Sequence, residues 1–278
     1  MKRILLPCDF SEPALEAYKF ALELATASQG EVVVIKAIDL PVLYEASIGG
    51  QPYVFDPSIV KELEEDAKKN FSEMKSKYPQ AVPVSFSVGQ GPVAYMIRHM
   101  IEEKKADLVV MGTHGASGLK EFIVGSNTEK IVRTSKVPVI AVRKAPSVSS
   151  IRNLVFPILL DLNQQDLIKH VKEIQTFFKA KLNILYVNTP GRFKTDLELK
   201  RVMEEYVKHY GLENYSLNIR NDGYESDAIL HFAAEVNADM IVMATHGRRG
   251  LGHLLMGSIA EDVVNHLQCP IWTYTLRK

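Results

Sequence analysis

The chain repeats itself, and this repeat constrains the fold more than any other feature of the sequence. Residues 106–115 and 238–247 lie 132 positions apart and are identical at seven of ten positions. Near the start of each half the spacing is 150, and Ile4–Pro7 aligns there with Leu154–Pro157. A repeat of this length predicts two copies of one domain in tandem. We therefore place one domain at residues 1–145 and a second at 151–278.

The difference between the two spacings predicts an insertion of 18 residues in the first half. It falls around Leu40–Ile59, where three prolines and two glycines occur. That composition predicts a long loop, which we interpret as a flap over the functional site. The halves are joined near Ala145–Ser150, a short Pro/Ser stretch typical of a linker.

Within each half, apolar runs alternate with helical patterns. The runs Val32–Ile35 and Leu108–Met111 are apolar at every position, which predicts strands buried on both faces. The alternation predicts a doubly wound α/β domain, with a parallel sheet, right-handed crossovers and helices on both faces. Further strands are predicted at Val82–Val88 and Val137–Val142, and Ser11 is the predicted N-cap of the first helix.

Composition excludes several classes of function. Lys and Arg together number 33, as do Asp and Glu, so no overall charge recruits nucleic acid or an anionic membrane. We find no signal peptide and no run of about 20 apolar residues, and we expect a cytoplasmic protein. Cys8 and Cys269 lie far apart, which argues against a zinc site or a disulfide framework. We interpret Cys8 as a small buried side chain rather than a redox thiol.

Three glycines follow the fourth predicted strand of the first half. Gly112 ends that strand, Gly115 follows three residues later in the loop, and Gly125 directly precedes a helix that opens at Ser126. A strand–loop–helix turn of this kind aims backbone N–H groups and a helix N-terminus at one point, which favours an anion. The motif is neither a Walker A loop nor the dinucleotide fingerprint, because it has no Gly-Lys-Ser/Thr and does not follow strand 1.

Polar side chains near this turn extend the predicted site. Ser126, Asn127 and Thr128 add donors in the first helical turn, and Asp9 follows strand 1 at the same edge of the sheet. A carboxylate there can accept a hydrogen bond from an adenine amino group or a ribose hydroxyl. The alternatives are turn geometry alone for the glycines and a helix-capping role for Asp9.

The Gly-x2-Gly-x9-Gly-Ser spacing and the N-terminal pattern Leu6-Pro7-Cys8-Asp9-Phe10-Ser11 resemble the universal stress protein family, over nearly all of both halves. The resemblance implies a five-stranded parallel sheet of order 3-2-1-4-5 in each half. It also implies antiparallel pairing of the last strands of the two halves about a pseudo-twofold axis. Simple burial of those strands under a helix is the alternative, and a homodimer of the whole chain stays open.

Carried over to this chain, the family's ATP-binding motif assigns the ligand contacts residue by residue. Asp9 and Ala37 flank the adenine, beside Pro7 and Cys8 of the N-terminal pattern. The contacts to ribose and phosphates are assigned to Met111, Gly112, His114, Gly115, Gly125, Ser126, Asn127 and Thr128. A divalent cation, Mg²⁺ or Mn²⁺, is expected to be held through the phosphates, and no protein metal ligand is predicted.

The second half departs from this motif. Ala244 stands at the position of Gly112, and Leu159 stands at the position of Asp9, with Asp161 two residues later. Ile259-Ala260 replaces the pair Asn127-Thr128, so two side-chain donors are lost. We expect this half to bind nucleotide weakly or not at all. A residual anion site is open at a smaller set of residues: Gly247, Arg248, Gly257 and Ser258.

We therefore predict an adenine-nucleotide-binding protein, loaded with ATP or AMP, that acts in the stress response as a sensor or regulatory module. The alternatives are an interaction protein that works through dimerisation without nucleotide, and a slow ATPase. No catalytic residue is predicted, because no paired carboxylates or activated nucleophile are apparent. Weak ATP hydrolysis is the most that we expect.

Overall fold

A computed structural model describes residues 1–39, 57–79, 81–113, 125–246, 259–260, 262–264 and 269–276. The first half contains β1 (Arg3–Pro7), α1 (Glu12–Ser28), β2 (Glu31–Ile38), α2 (Pro57–Lys77), β3 (Val84–Gln90), α3 (Val93–Glu103), β4 (Leu108–Gly112), α4 (Ser126–Thr134) and β5 (Val139–Val142). The predicted flap, apart from the start of α2, lies outside the described residues.

The second half repeats this element order. It contains β6 (Asn153–Pro157), α5 (Gln165–Phe178), β7 (Lys181–Asn188), α6 (Asp196–Tyr210), β8 (Tyr215–Asn221), α7 (Glu225–Glu235), β9 (Met240–His246) and β10 (Ile271–Leu276). Residues 259–260 and 262–264 are helical as well. Short 3₁₀ turns lie at Val148–Ser150 and Pro190–Arg192.

The described strands form one sheet of order β3-β2-β1-β4-β5-β10-β9-β6-β7-β8. Each half therefore has the order 3-2-1-4-5, and all pairs within a half are parallel. The halves meet where β5 pairs antiparallel with β10, with Ile140 opposite Trp272. The predicted α/β fold and the predicted pairing of the last strands are both confirmed.

Two predicted strand starts were too early, for the same physical reason. Strand β3 begins at Val84 rather than Val82, and β5 begins at Val139 rather than Val137. In each case the strand starts directly after a proline, Pro83 or Pro138. Proline has no N–H to donate to a sheet and restricts the residue before it, so regular pairing starts only after the ring.

Alternate residues of the strands build the core on opposite faces of the sheet. In β1, Ile4 and Leu6 pack on the face covered by α1, while Leu5 packs on the face of α3 and α4. The first of these cores continues across the junction and includes Trp272. A single apolar layer therefore runs through both halves, which ties their folding together.

The linker is attached to the first half along α1. The backbone N–H groups of Ala145 and Val148 donate to the carboxylates of Glu16 and Glu23, at 3.0 and 2.8 Å. The Val148 side chain is buried. The predicted linker thus packs against the domain that it leaves, and the route from β5 to β6 is set by these contacts.

Candidate functional site

A crevice opens at the carboxyl edge of the first-half sheet, between the ends of β1, β2 and β4 and the first turn of α4. Its interior volume is about 830 Å³, the open solvent at its mouth included. Strand β1 lies between β2 and β4, so the crevice sits where the strand order reverses. This is the place where open α/β sheets generally bind their ligands.

The residues predicted for the site come together here from four separate stretches of chain. Every predicted first-half residue that the structure describes lines the crevice, namely Pro7, Cys8, Asp9, Ala37, Met111, Gly112, Gly125, Ser126, Asn127 and Thr128. The other two, His114 and Gly115, lie outside the described residues. Parallel strands bring these stretches together because their carboxyl ends meet at one edge.

Sequence reasoning missed five further lining residues. Four are apolar and are contributed by α1, β2 and α3, namely Ala14, Ile35, Val93 and Ile97. The fifth is Lys36, whose ammonium lies 5.9 Å from the centroid of the Phe10 ring. The four apolar residues follow the same periodicity as the core, so the sequence pattern does not distinguish them as part of a site. Lys36 does carry a signal, because this cation interrupts the run of apolar residues that follows Glu31 in strand β2.

Asp9 lines the crevice and also closes the loop before α1. Its Oδ1 accepts hydrogen bonds from the backbone N–H of Ser11, at 3.0 Å, and from the Ser11 hydroxyl, at 2.5 Å. Ser11 occupies the N-cap position of α1, but its hydroxyl binds Asp9 rather than capping the helix. The predicted N-cap position of Ser11 is therefore confirmed, without a side-chain hydrogen bond to the helix. The carboxylate that folds this loop also lines the crevice, in a fixed orientation.

Gly112 is needed for packing as well as for the crevice. A Cβ atom at this position would lie 2.8 Å from the backbone carbonyl carbon and oxygen of Pro13, in the first turn of α1. Real side chains do not approach a backbone so closely. The glycine thus lets β4 and α1 come into contact directly beneath the site.

Two hydrogen bonds fasten α4 to the end of β4. The buried Thr128 hydroxyl donates to the Gly112 carbonyl at 2.9 Å, and the Gly125 N–H donates to the Thr113 carbonyl at 2.8 Å. The hydroxyl hydrogen of Thr128 is thereby engaged within the protein. Among the predicted side-chain donors, Ser126 and Asn127 remain for a ligand, together with the amides of the first helical turn.

The thiol of Cys8 is a buried group at the base of the crevice. Burial raises its pKa to about 12, so it stays protonated at neutral pH. Such a thiol is a poor nucleophile, which supports the interpretation of Cys8 as a packing residue.

The second half has apolar side chains at positions equivalent to the crevice. Ile259 and Ala260, which replace Asn127 and Thr128, pack in one cluster with Leu185, Ile229 and Met243. Ile35, Ile97 and Met111 line the crevice at the equivalent positions of the first half. The two polar positions of the first half have therefore become part of a core.

The carboxylate of Asp9 has no counterpart at the equivalent position of the second half. Leu159 packs against the core at the position of Asp9. Asp161 is exposed and accepts a hydrogen bond from the backbone N–H of Asn163, at 2.9 Å. Ala244 is buried in strand β9. The candidate anion residues Gly247, Arg248, Gly257 and Ser258 lie outside the described residues.

Two kinds of feature are absent from the described part of the chain. There, no three His, Cys, Asp or Glu side chains are grouped so that they could hold a metal ion. Among the same residues, no helix has the length and apolar character needed to cross a membrane.

Comparison with known proteins shows that both halves of the chain are similar to one protein family. The model of the universal stress protein family matches residues 1–143 and again 150–274. Universal stress protein MJ0531 of Methanocaldococcus jannaschii is 32% identical over 143 residues, which is 51% of this chain and 82% of that protein. Universal stress protein Slr1230 of Synechocystis sp. is 22% identical over 296 residues, covering 99% of this chain and all of the relative.

A solved structure shares the complete architecture. The crystal structure of a universal stress protein from Archaeoglobus fulgidus is 24% identical, and the match covers 98% of this chain and 96% of that one, with a TM-score of 0.75. At this identity the likeness supports the fold alone. Together with the two family-model matches, it leads to one conclusion: the chain belongs to the universal stress protein family and carries two such domains in tandem.

Proposed function

We propose that the first half binds an adenine nucleotide, ATP or AMP, in the crevice between β1, β2, β4 and α4. The single observation that carries this proposal is the convergence on one crevice of all the described residues that were predicted to contact the nucleotide. The protein then acts in the stress response as a nucleotide sensor or regulatory module, because the described residues of the crevice offer apolar contacts and hydrogen-bonding groups to a ligand.

The inner end of the crevice suits a purine base. Ile35, Ile97 and Met111 are buried apolar side chains that can contact the faces of a flat ring. Asp9 adds a carboxylate whose orientation is set by Ser11. An exocyclic amino group is a donor that this acceptor can meet, and a ribose hydroxyl is a second one.

The outer end suits phosphates. Helix α4 begins at Ser126, directly after Gly125, which has no side chain to cover the amides of the first turn. These amides and the positive end of the helix dipole attract an anion. Ser126 and Asn127 can donate further hydrogen bonds from their side chains. A Mg²⁺ or Mn²⁺ ion is then held through the phosphate oxygens.

The second half lacks these groups, so the two halves are expected to differ in nucleotide binding. A leucine replaces the carboxylate, and the two polar residues of the helix start have become part of an apolar cluster. We expect one nucleotide per chain, bound in the first half. The residual anion site at Gly247, Arg248, Gly257 and Ser258 is expected to be much weaker.

Isothermal titration calorimetry with ATP, supported by native mass spectrometry of the purified protein, tests this proposal. The wild type should bind one ATP, and Asp9→Ala should lose affinity by about tenfold or more, as expected for removing a hydrogen bond to a buried polar group. Asp161→Ala is the matched control, because this carboxylate likewise accepts a backbone N–H from two residues later, in the loop before α5 of the second half.

The control variant should bind like the wild type. Equal losses in Asp9→Ala and Asp161→Ala would contradict the assignment of the site, and a wild type that binds no adenine nucleotide would overturn the proposal. Multiple-turnover phosphate release that Gly125→Val abolishes would instead indicate an ATPase.

A further inference from the structure

Helix α4 reaches from the crevice to the other half of the protein. Its first turn, at Gly125–Thr128, lines the crevice. The helix also packs against β9 and β10 of the second half, which reach the carbonyl of Val132 near its C-terminal end. The helix has nine residues and is about 13 Å long, so a displacement of one end is carried directly to the other.

The second half supplies hydrogen bonds that the end of this helix lacks. The last carbonyl groups of a helix have no N–H partner within the helix. The carbonyl of Ile131 accepts the N–H of Ser135 at 2.8 Å. The next carbonyl, that of Val132, faces two hydroxyl groups from the second half, Thr245 Oγ1 at 3.1 Å and Thr275 Oγ1 at 3.2 Å.

These two threonines form one rigid pair. Thr275 lies opposite Thr245 in the register of β9 and β10, and their hydroxyl oxygens are 3.1 Å apart. Both side chains are buried, Thr245 completely. Either hydroxyl can therefore donate to the carbonyl of Val132. The second hydroxyl then donates either to the same carbonyl or to the first hydroxyl.

We infer that Thr245 and Thr275 are positioning residues for the phosphate end of the nucleotide site, an inference that rests on the function proposed above. They touch no ligand and act by fixing the last turn of α4. Thr128 fixes the first turn on the carbonyl of Gly112. The helix is thus held at both ends, and its N-terminal amides point to one place in the crevice.

This arrangement gives the second half a role that its altered motif does not supply. It has apolar residues where the first half has ligand-binding candidates, and it provides the buried hydroxyls that orient the first half's helix. The hydrogen bonds to Val132 fix the orientation of α4, and the first turn of this helix lies at the phosphate end of the proposed site. Loss of these hydrogen bonds should therefore weaken contacts to the phosphates more than contacts to the base.

The test compares the affinities of ATP and adenosine in the full-length chain, by isothermal titration calorimetry. The change to valine at positions 245 and 275 removes the hydroxyls and keeps the β-branched shape. In the double variant Thr245→Val/Thr275→Val, ATP should bind about tenfold more weakly, and adenosine should stay within about twofold of the wild type. The ATP affinity of the single variant Thr275→Val should lie between those of the wild type and the double variant. Thr275→Ser should bind ATP like the wild type.

Thr273→Val is the matched control. Thr273 is buried in β10, and its hydroxyl donates to the carbonyl of Val139 in β5, at 3.4 Å, rather than to α4. This variant should lose stability at the same junction and keep the wild-type ratio of ATP to adenosine affinity. If the double variant is too unstable to titrate, Thr275→Val and Thr273→Val are compared instead.

Three results would overturn the inference. One is an unchanged ratio of ATP to adenosine affinity in the threonine-to-valine variants. Another is an equal loss for both ligands, which indicates general destabilisation. The third is a matching change in Thr273→Val. In each of these the wild type still binds ATP and the proposed function stands, whereas a wild type that binds neither ligand overturns both.

Discussion

The hydroxyl of Thr128 donates a hydrogen bond of 2.9 Å to the carbonyl of Gly112 and so joins the first turn of α4 to the end of β4. Both residues line the crevice, and the bond is buried. It sets the distance between the part of the site at the strand ends and the part at the helix N-terminus. The second half has Ala244 and Ala260 at these positions, and Ala260 has no hydroxyl with which to form the bond.

Removal of this hydroxyl should affect stability and ligand binding together. Thr128→Val should lower the free energy of unfolding by about 1–2 kcal/mol, because a buried carbonyl loses its donor. ATP should bind more weakly, since the first turn of α4 is released. Urea denaturation and calorimetry measure the two effects.

Thr134→Val is the control for this change, because the Thr134 hydroxyl bonds to the carbonyl of Lys130 on the exposed side of the same helix. It should change stability by less than about 0.5 kcal/mol. Similar losses in both variants would show that the hydrogen bond between Thr128 and Gly112 has no special importance.

The packing of Gly112 predicts a large effect from one methyl group. Gly112→Ala should cost about 2–3 kcal/mol of stability, because the new Cβ would lie 2.8 Å from the Pro13 backbone. In the second half, the counterpart of Pro13 is Asn163, which precedes α5, and the alanine is accommodated. Ala244→Gly should therefore cost only about 1 kcal/mol, from backbone entropy. Equal midpoints of urea unfolding for the two variants would contradict this explanation.

The buried thiol of Cys8 predicts a loss of stability at alkaline pH. Its pKa is about 12 in the folded protein, raised by burial from an ordinary value of 9.0. Above pH 9 the unfolded chain binds fewer protons than the folded one, so stability falls as the pH rises from about 9 to about 12. The slope contributed by this thiol approaches about 1.4 kcal/mol per pH unit. Cys8→Ala should lose stability less steeply over this range, and parallel curves for the two proteins would refute the prediction.

The shared core predicts that both halves unfold together. The chain has one tryptophan, Trp272, and it is buried at the junction of β10 with β5. Its fluorescence should report a single transition that coincides with the loss of helix measured by circular dichroism. Saturating ATP should raise that midpoint, although Trp272 belongs to the second half. A tryptophan signal that ATP does not shift would indicate that the halves unfold independently.

Much of the fold was predictable, because the repeat and the apolar strand runs are local patterns. The run Val32–Ile35 is buried as expected, and the strand order follows the resemblance. The starts of β3 and β5 were misplaced, since hydrophobicity continues through Pro83 and Pro138 while hydrogen bonding does not. Apolar character and backbone pairing are separate requirements, and the sequence pattern reports mainly the first.

The site was predictable where its residues lie at ends of elements, and less so elsewhere. Asp9 and Ser126 carry a signal because parallel strands bring their positions to one edge. Val93 and Ile97 line the same crevice but belong to the core pattern of α3. The hydrogen bond from Thr245 to Val132 joins residues 113 positions apart and depends on how the halves meet. No local pattern encodes such a contact.

A crystal structure of the full chain determined with ATP tests the proposed site most directly. We predict one nucleotide per chain, with its base beside Asp9 and Ala37 and its phosphates at the amides of Ser126 and Asn127. Equal occupancy in both halves, or a nucleotide bound away from this crevice, would contradict it.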